Sequence, residues 1–239
     1  MNCRRLMKQL ALVLMLTIPL GAVAAESLIA RLLRVAGLTV APQTRAPGDD
    51  AEAGNIWIVT IDQRTTKALT SQGGYRSPLF APAGGAVYAL KGENLVRVAS
   101  DGGNPVVVQK IPGVAKLAGF DRSASDELIV LLEPVAAGSP LAVLSLKSGN
   151  LTPLPYDDHS AEQRLMLEQV RAQDRTYGDT SLVIRTETKR GLSRAMEWTD
   201  VYLQRGHAEP QNISVCNGVN CTQPALSPDG RTVAFVKAQ

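Results

Sequence analysis

Two histidines, three cysteines and an aromatic content of 4% are all that this 239-residue chain offers of several chemically versatile residue types. Imidazole titrates near neutral pH and is the commonest metal ligand, so a site built on histidines has almost no material here. No Gly-x-Ser-x-Gly elbow occurs, and Gly191-Leu192-Ser193-Arg194-Ala195 lacks its second glycine. A glycine-rich phosphate loop, a His-Glu-x-x-His pair and an EF-hand loop are missing too. No apolar run reaches the roughly 20 residues with which a helix spans a bilayer. The familiar hydrolase, nucleotide-binding and zinc-protease signatures are therefore absent.

What is present begins with an export pattern. Arg4, Arg5 and Lys8 stand in the first eight residues with no acid, and an apolar run from Leu10 to Leu20 follows. Pro19 and Gly21 break that run, and Ala22-Val23-Ala24-Ala25 supplies small residues. This predicts a secretory signal over residues 1–25, cleaved after Ala24 or Ala25, with an uncleaved anchor as the alternative. Cys3 lies at the wrong end for a lipoprotein anchor. The three bases account for the whole net charge of +3. The remainder is neutral, and nothing in it steers the chain to nucleic acid or anionic lipid. The expected location is periplasmic or secreted. In such a compartment Cys216 and Cys221, in Cys-Asn-Gly-Val-Asn-Cys, read as a disulfide. So small a ring contributes about 2 kcal/mol. A zinc site would need His159 and His207, or acids, at spacings that match no motif.

Residues 26–53 read as a short helix and a linker. Ser27 caps, Leu28, Ile29, Leu32, Val35 and Ala36 share a face, and Gly37 marks the end. From residue 54 to 239 the texture is short β-rich runs punctuated by Gly, Pro, Asp and Asn. Repeats are visible in it. Pro78–Leu90 aligns without a gap on Pro224–Val236, each a strand, a Pro-x-Gly turn and a strand. Asn55–Asp62 aligns likewise on Asn94–Asp101, with fainter copies at Leu141–Leu146 and Asp200–Gln204. Each is followed by a further short strand, at Lys67–Thr70, Pro105–Val108, Leu151–Leu154 and Gln211–Val215. Hairpins at Leu117–Leu132 and Ser181–Met196 complete the pattern.

Ser227-Pro228-Asp229-Gly230-Arg231-Thr232-Val233-Ala234-Phe235, taken with Asn55-Ile56-Trp57-Ile58-Val59 and Leu69-Thr70, resembles the WD-like repeat of TolB-type propellers. The resemblance covers roughly residues 54–239. It fades in the middle, where Asp121-Arg122-Ser123 and the region of Arg190-Gly191 lack the turn. It implies an all-β fold, a small β-propeller in which the Ser-Pro-Asp-Gly turn joins the two inner strands of a blade. The chain opens with an outer half-blade, Asn55–Thr70, and closes with an inner half, Pro224–Val236. Neither half alone satisfies its strand edges, so pairing of the two is expected to close the last blade from both termini. That predicts about four units: the shared one, then about 77–110, 115–155 and 179–215. A fifth blade around 157–190, or a dimer of half-rings, stays open.

The insertion Tyr156–Gly178 carries a capping-box pattern at Ser160 and Gln163 and an apolar stripe at Ala161, Leu165, Met166 and Val170, which predicts a surface helix. In a propeller this insertion would share one face with Ser71–Ser77, Lys91–Glu93, Lys110–Lys116, Glu133–Pro140 and the Cys216–Cys221 loop. Elaborated loops on a rigid scaffold are where binding concentrates. The binding candidates on that face are Tyr75, Arg76, His159 and Tyr177. Trp57 and Trp198 read as blade packing, and Asp229 as a turn residue. No catalytic residue, metal or cofactor is expected. The resemblance implies a non-enzymatic scaffold that binds an envelope protein or a cell-wall component. The alternatives are a lactonase- or lyase-type propeller enzyme working through the central channel, and an accessory or sensor subunit docked to a membrane complex. Apolar inner strands such as Ala86–Leu90 and Thr232–Val236 speak against the enzyme, which needs metal-binding groups there.

Overall fold

The computed structural model describes residues 53–120, 124–136, 139–155, 159–161, 175–177, 179–190 and 195–239. The expected signal and helix before residue 53, the helix after Ser160 and the Asp121–Ser123 turn lie outside these residues, save Ser160 and Ala161 themselves.

The described residues form sixteen strands. In chain order they are β1 (Asn55–Thr60), β2 (Thr65–Ala68), β3 (Tyr75–Phe80), β4 (Ala86–Lys91), β5 (Asn94–Ala99) and β6 (Val106–Lys110). Then come β7 (Val114–Phe120), β8 (Glu127–Ala136), β9 (Ser139–Ser145), β10 (Leu151–Pro153) and β11 (Arg175–Tyr177). The last five are β12 (Thr180–Arg190), β13 (Ala195–Arg205), β14 (Gln211–Asn212), β15 (Cys221–Leu226) and β16 (Thr232–Lys237). They form four antiparallel sheets of four strands: β3-β4-β5-β6, β7-β8-β9-β10, β11-β12-β13-β14 and β15-β16-β1-β2. The last is built from both ends of the domain. β1 pairs with β16 from Asn55 opposite Lys237 to Thr60 opposite Thr232.

The repeat seen in the sequence is a repeat of hydrogen bonds. At the β15–β16 turn Ser227 N donates to Thr232 O at 2.8 Å and Gly230 N to Ser227 O at 2.9 Å. At the β3–β4 turn Ala81 N donates to Ala86 O and Gly84 N to Ala81 O, both at 2.9 Å. Gly230 has φ 69°, a left-handed conformation that a side chain would strain. The Asp229 carboxylate accepts from Ser227 Oγ at 2.6 Å and from Arg231 N at 3.1 Å. The Ser227 bond first, then the Arg231 amide, lowers its pKa below the ordinary carboxylate value.

Apolar residues alternate between two faces, and in the β15-β16-β1-β2 and β3-β4-β5-β6 sheets both faces are covered. Ile56, Ile58 and Ala234 of the shared sheet pack on Val87, Ala89, Val96 and Val98 of the β3–β6 sheet. Val59, Val233 and Phe235, from its opposite face, pack on Leu182, Val201 and Leu203 of the β11–β14 sheet. Leu90 and Leu95 meet Leu117, Leu128, Val130 and Leu144 of the β7–β10 sheet. Burial on both faces explains why Val233 to Val236 is a continuous apolar run instead of an alternating one.

Two expectations are corrected. Ser181–Met196 is not an inner hairpin: β12 and β13 are the second and third strands of their sheet, and Arg175–Tyr177, inside the supposed insertion, is the first. The described strands within residues 157–190, Arg175–Tyr177 and Thr180–Arg190, both belong to the fourth sheet. The outer strands also shift, to Thr65–Ala68 and Val106–Lys110, because cross-strand pairing and not composition sets their limits.

Candidate functional site

One end of the sheets is tied together across sheet boundaries. Gly54 and Tyr75 exchange backbone hydrogen bonds of 2.9 Å in both directions. A Cβ on Gly54 would lie 2.1 Å from the Lys237 carbonyl oxygen, so only glycine passes here. Arg76, next along β3, donates through Nη1 to Gly92 O at 3.0 Å, through Nη2 to Val114 O at 3.1 Å and through Nε to Ala115 O at 3.4 Å. Its guanidinium thus ties the β4–β5 turn of its own sheet to the start of β7 in the next, and burial lowers its pKa from the ordinary value. Tyr75 is buried, with Lys91 Nζ 4.6 Å from its ring centroid. The same ammonium donates to Gln72 Oε1 at 2.9 Å and lies 3.3 Å from the Tyr75 hydroxyl. Tyr75 and Arg76 are brought together at this end, but both are engaged within the fold.

The Cys216–Cys221 disulfide is present, with Cα atoms 6.2 Å apart. Its loop is held by Asp200, a carboxylate only 2% exposed. Oδ1 of Asp200 accepts from Ser214 Oγ at 2.8 Å and Cys216 N at 2.6 Å, and Oδ2 from Trp198 Nε1 and Asn212 Nδ2, both at 3.0 Å. Four donors on one buried carboxylate replace its lost hydration without a cation. Asn212 Oδ1 in turn accepts from Val215 N at 3.0 Å, and Asn220 Oδ1 from Thr199 N at 3.0 Å. Asp200, Cys216 and Cys221 lie close enough to suggest a metal cluster. The donor set does not fit one, because the sulfurs are joined to each other and the carboxylate oxygens are already saturated.

So restrained, the loop holds an unusual backbone. Val215 has φ 46° and is 56% exposed, and Asn217 and Gly218 follow at φ 53° and 94°. Beside it stands the ribbon of β12 and β13, paired as far as Arg190 opposite Ala195. Met196 on that ribbon is 48% exposed, and its Cε lies 3.3 Å from where a Cβ on Gly218 would be. On the same ribbon the Tyr202 hydroxyl donates to Glu187 Oε1, and Arg185 lies 5.1 Å over the Tyr202 ring. The Glu187 bond, chiefly, raises the Tyr202 pKa above the ordinary tyrosine value.

The other expected contacts are dispersed. His159 is exposed and follows β10, which leaves its sheet at this end. Tyr177 is at the opposite end, paired with Thr180 across the β11–β12 turn. Thr199 donates from its amide to Asn220 Oδ1 and from its hydroxyl to Cys221 O, and Thr180 lies opposite Arg205 at the far end of β13. Asp200 is the residue that sequence reasoning missed. The available signal was an acid placed among the apolar residues of a strand, with Asn212 and Ser214 downstream to supply donors.

No protein-family model matches this chain, and no curated protein matches it. Among solved structures it is similar to a protein provisionally assigned as TolB from Agrobacterium tumefaciens, with 17% identity and a TM-score of 0.37 over 77% of this chain. It is also similar to the AtxE2 isopeptidase, free and as a variant with astexin3-dC4 bound, each with 16% identity and TM-scores of 0.30 and 0.29. The chain spans 62% of the length of the first and 29% and 28% of the isopeptidase structures. Likenesses this distant carry no argument.

Proposed function

We propose that the chain is an exported β-propeller-type module, its four sheets serving as blades, which binds an envelope protein or cell-wall component at the disulfide-bearing end and performs no chemistry of its own. The observation that carries this is Val215. A β-branched residue in the left-handed region costs about 1–2 kcal/mol, and this one projects into solvent where packing returns little. A disulfide and a four-donor carboxylate hold it there. Stability alone gives no reason for that arrangement, whereas a rigid apolar knob presented to a partner does. The arrangement also accounts for a disulfide too small to govern the fold, and suits an oxidising compartment.

Site-specific photocrosslinking in living cells tests the reading. A photoreactive residue at Val215 should give a discrete adduct in the envelope fraction, and one at Ala83 in the β3–β4 turn should not. Equal labelling from both ends, or adducts only from Ala83, would place binding elsewhere.

A further inference from the structure

Asn217-Gly218 is the one Asn-Gly step in the chain, and Asn217 is exposed. Such a step can close on itself. The Gly218 nitrogen attacks Asn217 Cγ, the Cγ–Nδ2 bond breaks, and Nδ2 leaves as ammonia with the Gly218 amide proton. Water then opens the five-membered imide at one of its two carbonyls, giving aspartate or isoaspartate at this position. Nothing but water is consumed. Glycine favours the attack, because no side chain crowds its nitrogen.

Here the backbone stands against it. Asn217 has φ 53°, in the left-handed region, where ψ is about +30 to +60°. With Cβ offset by about 120° around the Cα–C bond, the Gly218 nitrogen lies roughly 150–180° from Cβ. Ring closure needs the two nearly eclipsed, so the peptide must first turn by close to half a revolution. Both of its flanks are tied down. Cys216 and Cys221 share their disulfide, the Cys216 amide donates to Asp200 at 2.6 Å, and the Thr199 amide to Asn220 Oδ1 at 3.0 Å. Met196 lies over the turn, its Cε 3.3 Å from the place of a Cβ on Gly218.

We propose that Asn217 is a deamidation site which the Cys216–Cys221 ring keeps locked. A chain in which the two cysteines are not joined is marked there. It gains a negative charge two residues from Val215. Isoaspartate also adds one atom to the backbone between the cysteines, so the loop does not regain its native conformation when the sulfurs later join. The modification needs no partner, and its test is independent of what binds at Val215.

Peptide mapping by mass spectrometry, over a timed incubation in mildly alkaline buffer, reads the rate. In the unaltered chain Asn217 should convert about thirtyfold more slowly than in a synthetic peptide of residues 211–224 with both cysteines alkylated, the factor that the entropy of so small a ring supplies. The full chain with Cys216→Ala and Cys221→Ala should convert faster than the parent by a similar factor at Asn217. Isomerisation at Asp229-Gly230, in the β15–β16 turn, should keep the parent rate. If both sites accelerate, the variant has unfolded, and the same peptide with its disulfide closed decides: it should convert more slowly than the alkylated one. Equal rates in parent and alkylated peptide, an unaccelerated Asn217 in the folded variant, or equal rates in the two peptides where the variant unfolds would each overturn the lock.

Discussion

Ser77 and Gln223 occupy the same place in two repeats, and they are bonded to each other. Each precedes a proline in the first strand of its sheet, each is buried, and each has φ 54°. The Ser77 amide donates to Oε1 of Gln223. Ser77 Oγ also accepts from Leu117 N at 2.8 Å and lies 3.2 Å from Leu117 O. One small residue thereby joins the first strands of three sheets.

Ser77→Ala should therefore cost about 1–3 kcal/mol, since the Leu117 amide loses its acceptor in a buried place. Ser77→Gly removes the same hydroxyl but relieves the left-handed backbone, so it should cost less than the alanine change. Urea denaturation of both variants checks the order. Equal stability of the alanine variant and the parent would refute the role given to the hydroxyl.

Asp200→Asn keeps the shape of the side chain but turns an NH₂ toward groups that already donate. A loss of about 3 kcal/mol is expected, as bonds to a charged acceptor are worth about 1.5–3 kcal/mol each and the donors stay buried. The loss should appear in the denaturation midpoint, with Trp198 fluorescence changing in the native state because its indole N–H loses its acceptor.

Val215→Asn should stabilise the fold by about 0.5–1 kcal/mol, because asparagine tolerates the left-handed region. It should at the same time abolish the envelope adduct expected at this loop, probed from a photoreactive residue at Asn217. A destabilised variant would remove the strain argument. A stabilised variant with undiminished crosslinking would remove the binding role.

Reduction of Cys216–Cys221 should lower stability by about 2 kcal/mol without unfolding the sheets. Circular dichroism should keep its β signature, while partner capture at Val215 falls. Global unfolding on reduction would mean that the ring governs the fold.

Tyr202 should ionise above the ordinary tyrosine range, and Glu187→Gln should return it toward that range. The sign follows from proton counting: the folded state holds this proton more tightly than the unfolded chain. Its contribution is complete below the unfolded pKa, near 10, and is lost as pH rises through the folded value. Ultraviolet titration of both proteins reads the difference, and an unshifted titration in the variant would deny Glu187 its part.

The repeat was legible because it is local. Pro78–Leu90 and Pro224–Val236 carry the same turn, and a turn is decided by the conformational limits of proline and glycine at neighbouring positions. The pairing of the first and last strands followed from edge chemistry, since half-sheets leave backbone groups unsatisfied. The degenerate fourth sheet was misread because β11 is only three residues long and lacks the turn that marks its counterparts. Tyr75 and Arg76 drew notice as polar and aromatic residues near a loop, but pattern alone cannot say that Arg76 spends its donors on Gly92, Val114 and Ala115.

The sequence by itself thus determined the all-β texture, the turn repeat, the place of the two half-sheets and the Cys216–Cys221 bond. Each depends on residues close in the chain or on the valence of a backbone edge. Only the tertiary structure decided that Asp200 gathers four donors from Trp198, Asn212, Ser214 and Cys216, and that Val215 is held exposed in a left-handed conformation. These features rest on groups brought together by sheet packing, and a buried carboxylate finds its donors only once the surrounding strands exclude water.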